Sequence, residues 1–164
     1  MPPPPVVIAP LAGDAEARAC ARLMASSDPW LTLGRLEPAC LRAIQDPTRE
    51  VFVAKRDGEL AGFLILCLTG AFVGYIQTLC IAPAQRGQGL GTELIRFAEE
   101  RIFRRFPNVF MCVSSFNTRA RALYQRLGYE IVGKLRDYIV PGHAEWLLRK
   151  TAGPLHTFRQ TETP

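Results

Sequence analysis

The sequence predicts a mixed α/β fold in which a layered sheet carries helices on both of its faces. Three observations support this prediction. Apolar runs of strand length are interspersed with amphipathic runs of helix length, and an Asp57-Gly58 pair marks a tight hairpin. A strand, a helix and a second strand also follow one another over residues 74–113, which is the form of a right-handed parallel crossover unit.

The elements are predicted in the order strand, two helices, three strands, helix, strand, helix and a final hairpin. The strands are expected at 6–8, 50–55, 60–68, 74–81, 109–113, 129–140 and 144–148. The helices are expected at 15–26, at 37–45, from the glycine-rich segment 86–92 to about Phe106, and at 117–127. Asp14 has the residue type and position of an N-cap for the first helix.

Length and composition indicate one folded domain. The chain has 164 residues, of which 48% are hydrophobic and 21% are charged, as in globular proteins. We expect a Pro-rich lead-in at 1–5, a folded domain at 6–150 and a tail at 151–164. The net charge of +5 suits an anionic ligand but is too small to indicate nucleic acid by itself.

Particular residues disfavour several classes of protein. Five cysteines, an odd number with no Cys-x-x-Cys pair, argue against a disulfide framework or a zinc site and fit a reducing cytoplasm. The two histidines lie near the C-terminus, which argues against a metal site or a His-based triad. The most apolar stretch, 61–68, is too short to cross a bilayer. We therefore expect a cytoplasmic protein without a metal, a membrane partner or a nucleic-acid partner.

The glycine-rich segment is the first candidate for chemistry. In 79–92 a strand ends, glycines follow and a helix begins, and such a turn offers unpaired amides to a phosphate. A P-loop is disfavoured because no lysine stands between Gly91 and Thr92. A dinucleotide fingerprint is disfavoured because Thr92 occupies the third glycine position. A helix start that packs tightly on its strand remains the alternative.

A second segment follows about 25 residues later and makes the signal more specific. The two segments together resemble the GNAT superfamily of acetyl-coenzyme-A-dependent N-acetyltransferases, over about residues 6–150. Arg86-Gly87-Gln88-Gly89-Leu90-Gly91 is similar to the family's pyrophosphate motif, Gln/Arg-x-x-Gly-x-Gly/Ala. Residues 117–129 are similar to its Asn-x-x-Ala-x-x-Leu-Tyr-x-x-x-Gly-Tyr/Phe pattern, and the layout is nearest to the ribosomal-protein N-terminal acetyltransferase branch.

This resemblance implies a fold, an activity and a set of site residues. The fold would be a central sheet of about seven mostly antiparallel strands with one splayed parallel pair. The activity would be transfer of an acetyl group from acetyl-CoA to a primary amine by direct attack in a ternary complex, with Tyr124 as the acid that protonates the leaving thiolate. The implied coenzyme-binding residues are Leu79, Cys80, Ile81, Arg86, Gly87, Gln88, Gly89, Leu90, Gly91, Thr92 and Asn117.

The general base is not assigned by the resemblance. Some relatives carry a Glu where this chain has Cys112, and others carry one where it has Gln77. We therefore expect the amine to lose its proton through ordered water, assisted by a carboxylate. The candidate carboxylates are Asp28, Asp137 and Glu145.

Acceptor selection in the family implies roles for the loop 26–35 and the hairpin 136–145. Trp30, Gln77 and Tyr138 are the candidate acceptor-binding residues, with a purely core-sealing role for Trp30 left open. Tyr124 has a packing alternative as well. The acceptor would be a small-molecule amine or a protein amine, and the chain is a possible homodimer. A non-catalytic acyl-CoA-binding module on the same fold is the alternative function.

Overall fold

A computed structural model describes residues 3–160 and shows, within them, seven strands and four helices. The strands are β1 (Val6–Pro10), β2 (Arg49–Arg56), β3 (Glu59–Cys67), β4 (Tyr75–Ile81), β5 (Asn108–Ser114), β6 (Glu130–Arg136) and β7 (Ala144–Thr151). The helices are α1 (Gly13–Ala25), α2 (Glu37–Ile44), α3 (Leu90–Phe103) and α4 (Thr118–Arg126). Single 3₁₀ turns occupy Pro83–Gln85 and Leu155–Thr157.

The strands form one mixed sheet in the order β1-β2-β3-β4-β5-β7-β6. β4 and β5 are parallel, and their ladder pairs Tyr75 with Phe110 and Ile76 with Met111. The pairs β1–β2, β5–β7 and β6–β7 are antiparallel. The predicted mixed, mostly antiparallel sheet of seven strands with one parallel pair is confirmed.

The chain divides into two compact units, and the first comprises residues 3–66 and 78–94. Its core joins α1 and α2 to β2 and β3: Ala17, Cys20, Ala21, Met24, Trp30, Cys40, Ile44, Val51, Val53, Phe63, Ile65 and Cys80. Leu64 and Leu66, which alternate with Phe63 and Ile65 along β3, are fully buried too. Since successive residues point to opposite faces of a strand, β3 is covered on both faces, as a central strand should be.

The second unit comprises residues 67–77 and 95–160. β5 pairs with β7 over the whole length of β5, from Asn108↔Thr151 to Ser114↔Glu145. The Lys150 ammonium also bridges to the Glu99 carboxylate of α3 at 3.0 Å. These contacts fix the register of β7, and with it the position of each side chain on that strand.

The predicted N-cap of the first helix is wrong. Helix α1 begins at Gly13 with Ala12 as its N-cap residue, and the Ala12 side chain makes no cap hydrogen bond. The Glu16 carboxylate accepts the Ala12 amide at 2.6 Å, so it satisfies the helix start from inside the first turn. Asp14 instead bonds Arg18 and Gln45, each at 2.7 Å.

The final hairpin departs from its predicted bounds. β6 ends at Arg136 rather than at 140, because Asp137 takes a positive φ of 49° and its carboxylate accepts the Gly142 amide at 2.7 Å. β7 continues to Thr151 rather than to 148, because its register with β5 extends that far. α3 ends at Phe103, about three residues before the predicted end.

Candidate active site

The glycine turn, defined as residues 86–92, belongs to the first unit and follows β4 after one 3₁₀ turn. Gly87 and Gly89 have φ values of +75° and +83°, which L-residues with a Cβ rarely adopt. The first hydrogen bond of α3 runs from the Glu93 amide to the Gly89 carbonyl at 3.1 Å. The amides of the first helical turn therefore have no acceptor within the helix, and the exposed turn presents them where an anion can bind.

The side chain of a buried arginine forms hydrogen bonds with the loop that contains this turn. Arg56, at the end of β2, is 8% exposed, and its Nη1 donates to the Oε1 atoms of Gln85 and Gln88. Gln88 in turn donates from Nε2 to the Ala84 carbonyl at 2.9 Å. Among residues 3–160, no group accepts a hydrogen bond from the buried Arg56 Nε. Two glutamines of the loop are thus tied to the sheet by one cation.

The last residues of β4 come shortly before the glycine turn and supply backbone N–H and C=O groups. Along β4 the parallel ladder with β5 includes Tyr75 and Ile76, so Leu79, Cys80 and Ile81 lie after its last pair. On the β3 side, a Cβ at Gly62 would lie 2.6 Å from the Cys80 carbonyl oxygen, so a glycine is required there for the strands to approach. Burial raises the pKa of the Cys80 thiol to about 12, which keeps it protonated.

Helix α4, in the second unit, positions the two other motif residues. Asn117 is its N-cap, and its Oδ1 accepts the Ala120 amide at 3.3 Å. Tyr124, two turns later, is 8% exposed and meets Tyr129 edge-on with ring centroids 6.4 Å apart. Burial raises the pKa of Tyr124 to about 12, so the phenol is protonated at neutral pH. Within residues 3–160 no group hydrogen-bonds its hydroxyl.

A polar cluster lies on one face of the second unit's strands. Pairing in register places opposed residues on the same face, so Tyr75, Cys112, Ser114 and Glu145 share one face. The Ser114 hydroxyl donates to the Glu145 Oε1 at 2.6 Å. Burial raises the pKa of Glu145, while the Ser114 hydrogen bond and the charge of His143 oppose that shift.

The remaining predicted residues have different environments. Trp30 is 9% exposed and belongs to the apolar core of the first unit, which is the packing role left open above. Gln77 is half-buried on β4, and by alternation it lies on the same face as Tyr75. Tyr138 is 63% exposed in the turn that follows β6. Their roles toward an acceptor stay predictions.

Sequence reasoning missed Arg56 and Ser114. Arg56 ends an apolar strand next to the Asp57-Gly58 turn, where a solvated arginine is the ordinary expectation. Its burial depends on two glutamines about 30 residues away in sequence, and no local pattern indicates them. For Ser114, the available signal was its position at the end of a strand directly before the Asn117 motif.

No metal-binding group and no membrane-spanning helix is found in the described part of the chain. Nowhere in residues 3–160 do three His, Cys, Asp or Glu side chains come together in a way that could hold a metal ion. None of the helices there has the length and apolar character needed to cross a bilayer.

Comparison with known proteins shows the family. Residues 17–129 match the model of the acetyltransferase (GNAT) family. The chain is 32% identical over 148 residues to the N-alpha-acetyltransferase RimI of Mycobacterium tuberculosis. The alignment covers 85% of this chain and 89% of the relative.

Two solved structures share the fold at low sequence identity. An aminoglycoside 6′-N-acetyltransferase complexed with coenzyme A has a TM-score of 0.72 and 16% identity, covering 90% of this chain and 98% of its own. The ribosomal-protein-S18-alanine N-acetyltransferase of Escherichia coli has a TM-score of 0.72 and 18% identity, covering 91% and 95%. With a family model matched over more than half of its length, this chain belongs to the GNAT family of acetyltransferases, and the N-acetyltransferase class predicted from its two motifs is confirmed.

Proposed function

We propose that the protein transfers an acetyl group from acetyl-CoA to a primary amine by direct attack of the amine on the thioester. The observation that carries this proposal is the glycine turn. It combines two glycines of positive φ, the unpaired amides of a helix start and the Arg56 anchor. A diphosphate is the ligand that such a turn binds best, because backbone N–H groups and the helix dipole both favour an anion.

The end of β4 supports the acyl half of the coenzyme. The main chain of Leu79, Cys80 and Ile81 follows the end of the parallel ladder, so it has polar groups to offer the amide-containing arm of acetyl-CoA. An N–H of this stretch would polarise the thioester carbonyl and stabilise the oxyanion that forms on attack. Because the pKa of Cys80 is raised to about 12, its thiol takes no part as a nucleophile.

Tyr124 is proposed as the acid that protonates the departing thiolate. Its phenol is buried, stays protonated at neutral pH and has no hydrogen-bond partner among residues 3–160. The proton is therefore available for donation to a developing negative charge. A low-dielectric surrounding strengthens that hydrogen bond relative to water.

Replacing Tyr124 tests this role. Tyr124→Phe should lower kcat by roughly 10²–10⁴-fold, the usual contribution of a positioned acid, while calorimetry gives an unchanged Kd for acetyl-CoA. Tyr129→Phe is the matched control, because it removes another buried phenol, and it should keep its turnover.

Two results would contradict the proposal at different levels. Wild-type kcat in Tyr124→Phe would show that another group is the acid. An absence of acetyl-CoA binding to the wild-type protein would reject the function as a whole.

The alternative, a non-catalytic acyl-CoA-binding module, is favoured by the residues at 77 and 112. Gln77 and Cys112 provide no carboxylate. A panel of acceptors, comprising spermidine, an aminoglycoside and a peptide with N-terminal alanine, separates the two functions. Release of CoA thiol with any of these amines supports the enzyme, and binding of acetyl-CoA without turnover of any amine supports the module.

A further inference from the structure

The three carboxylates that sequence suggested as bases have different environments. The Asp28 carboxylate accepts the Thr32 hydroxyl at 2.5 Å and the Thr32 amide at 3.1 Å, and these hydrogen bonds lower its pKa. The Asp137 carboxylate accepts the Gly142 amide and shapes the turn of the last hairpin. Both side chains therefore stabilise the conformation of the loop in which they lie. Only the third candidate, Glu145, lies inside a strand.

Glu145 is an unusual residue for a strand interior. It is 4% exposed, and no Lys or Arg of the described residues pairs with it. Its Oε1 accepts the Ser114 hydroxyl, and within residues 3–160 its Oε2 is not among the buried side-chain atoms that lack a hydrogen-bond partner, so Oε2 is open to solvent or to a ligand. A carboxylate that is 4% exposed has little room for hydration, so a ligand that donates to Oε2 would stabilise its charge.

The sheet register places this carboxylate on the face of Cys112 and Gln77. Ser114 opposes Glu145, and Cys112, two residues before Ser114, points to the same face. That face is half-buried at Tyr75, Gln77 and Cys112, whereas the opposite face is closed by buried apolar side chains such as Met111 and Leu148. Of the two faces of the sheet, only the one that carries Tyr75, Gln77 and Cys112 therefore gives a bound molecule access to Glu145.

We propose that Glu145 binds the ammonium group of the acceptor and accepts its proton before attack. This inference rests on the proposed acetyl transfer and predicts that the preferred acceptor is a primary amine that is cationic at neutral pH. An uncharged acceptor would gain nothing from a buried anion, whereas an ammonium group donates to Oε2 and neutralises the charge.

The protons balance between the acceptor, Glu145, Tyr124 and solvent. The ammonium gives one proton to Glu145, which passes it to solvent, and the nitrogen lone pair then forms the N–C bond. The C–S bond breaks, and the thiolate takes the proton of Tyr124. The second proton of the nitrogen returns through solvent to Tyr124, and the third stays on the amide.

The other titratable groups facing Glu145 do not replace it. From β4, Tyr75 has a pKa raised by burial, and from β5, the pKa of the Cys112 thiol is raised by burial as well. Both are therefore protonated and neutral at pH 7. His143, in the turn before β7, meets Phe116 edge-on with ring centroids 5.0 Å apart, and its electrostatic influence lowers the pKa of Glu145. The anion of this face is supplied by Glu145.

The test is the pH dependence of kcat/KM in Glu145→Gln, with spermidine, the aminoglycoside or the alanine peptide, whichever the wild type turns over fastest. The substitution keeps an oxygen for the Ser114 hydroxyl. We expect a loss of roughly 10²–10³-fold near pH 7, because the variant must wait for the small fraction of free amine. The loss should shrink steadily toward pH ~10, where the amine is unprotonated in solution. Glu130→Gln, which removes an exposed carboxylate on β6, should leave the profile unchanged.

Two further measurements keep the test decisive. With methoxyamine, which is unprotonated at neutral pH, Glu145→Gln and the wild type should react at similar rates. Ser114→Ala should move the acid limb of the wild-type profile to higher pH, because it removes the hydrogen bond that lowers the pKa of Glu145.

A rate loss in Glu145→Gln that is the same at every pH and with methoxyamine would overturn the role of Glu145. The proposed acetyl transfer would still stand if the wild type turns over an amine. An unchanged Kd for acetyl-CoA in Glu145→Gln shows that the variant is folded and that the coenzyme site is intact.

Discussion

At the scale of single residues, burial decides what the ionisable groups of this protein can do. The Cys80 thiol and the Tyr124 phenol are both protonated at neutral pH because their pKa values are raised to about 12. For Cys80 this removes a nucleophile, and for Tyr124 it preserves a proton donor. Arg56 is a third case, since its buried guanidinium donates to two amide oxygens in place of a carboxylate.

Arg56 is a positioning residue for the glycine turn, and Arg56→Met tests it. Methionine keeps the apolar stem but cannot donate to Gln85 and Gln88, so the turn loses its link to β2. Since a hydrogen bond to a charged group contributes about 1.5–3 kcal/mol, we expect the KM for acetyl-CoA to rise at least about tenfold with a much smaller change in kcat.

The control for this variant is Arg18→Met. Arg18 is exposed and pairs with Asp14 within α1, so its removal should change neither constant. A fall of kcat with an unchanged KM in Arg56→Met would show that Arg56 acts on the chemical step and not on the coenzyme loop.

At the scale of elements, the start of α3 is the feature on which the proposed activity depends most. A Cβ on Gly89 would meet no atom within 4 Å, yet its φ of +83° is one that alanine resists. Substitution there therefore changes the backbone preference of the turn without filling any space. Gly13, at the start of α1, has nearly the same φ of +79° and equally open surroundings.

This pair of glycines gives a matched experiment. Gly89→Ala and Gly13→Ala should each destabilise the fold by about 1–2 kcal/mol, the cost of a left-handed alanine, as measured by denaturant unfolding. Only Gly89→Ala should weaken acetyl-CoA binding in calorimetry. Equal affinities in the two variants would mean that the diphosphate is held by something other than the glycine turn.

At the scale of the whole molecule, the stability of the fold and the proposed chemistry oppose each other at Glu145. Its pKa is raised in the folded state, so folding favours the protonated carboxyl. Below the unfolded pKa the carboxyl is protonated in both states and has no pH-dependent effect. As the pH rises above that value the unfolded chain ionises more readily, and the native state loses stability relative to it.

Thermal unfolding measures this opposition. The Tm of Glu145→Gln minus the Tm of the wild type should increase as the pH rises above about 4, the ordinary pKa of a glutamate, and each kcal/mol corresponds to roughly 2–4 °C in a chain of this size. Glu130→Gln should show no such trend because Glu130 is exposed. A difference in Tm that is constant with pH would show that burial of the ionised Glu145 carboxylate does not destabilise the fold. That result would remove one reason to regard the residue as functional.

Much of the fold followed from local sequence. Asp57-Gly58 predicted the β2–β3 hairpin, and both residues have the positive φ values that such a turn needs. The apolar run of β3 predicted a central strand, and its residues from Ala61 to Leu66 that carry apolar side chains are buried. Prediction failed at the start of α1, where the carboxylate of Glu16 rather than that of Asp14 accepts a hydrogen bond from a free amide of the helix start.

The sequence by itself determined the two motifs, because a glycine-rich helix start and the Asn117–Tyr124 spacing are properties of neighbouring residues. Only the tertiary structure decided which arginine anchors the glycine turn and which carboxylate stands on the face of Cys112. Ser114 and Glu145 are 31 residues apart, and Arg56 and Gln88 are 32 apart, so these contacts arise from strand pairing and packing. The physical reason is that local propensity fixes which face a residue occupies within its own strand, whereas the register between strands is set by the burial of all their side chains together.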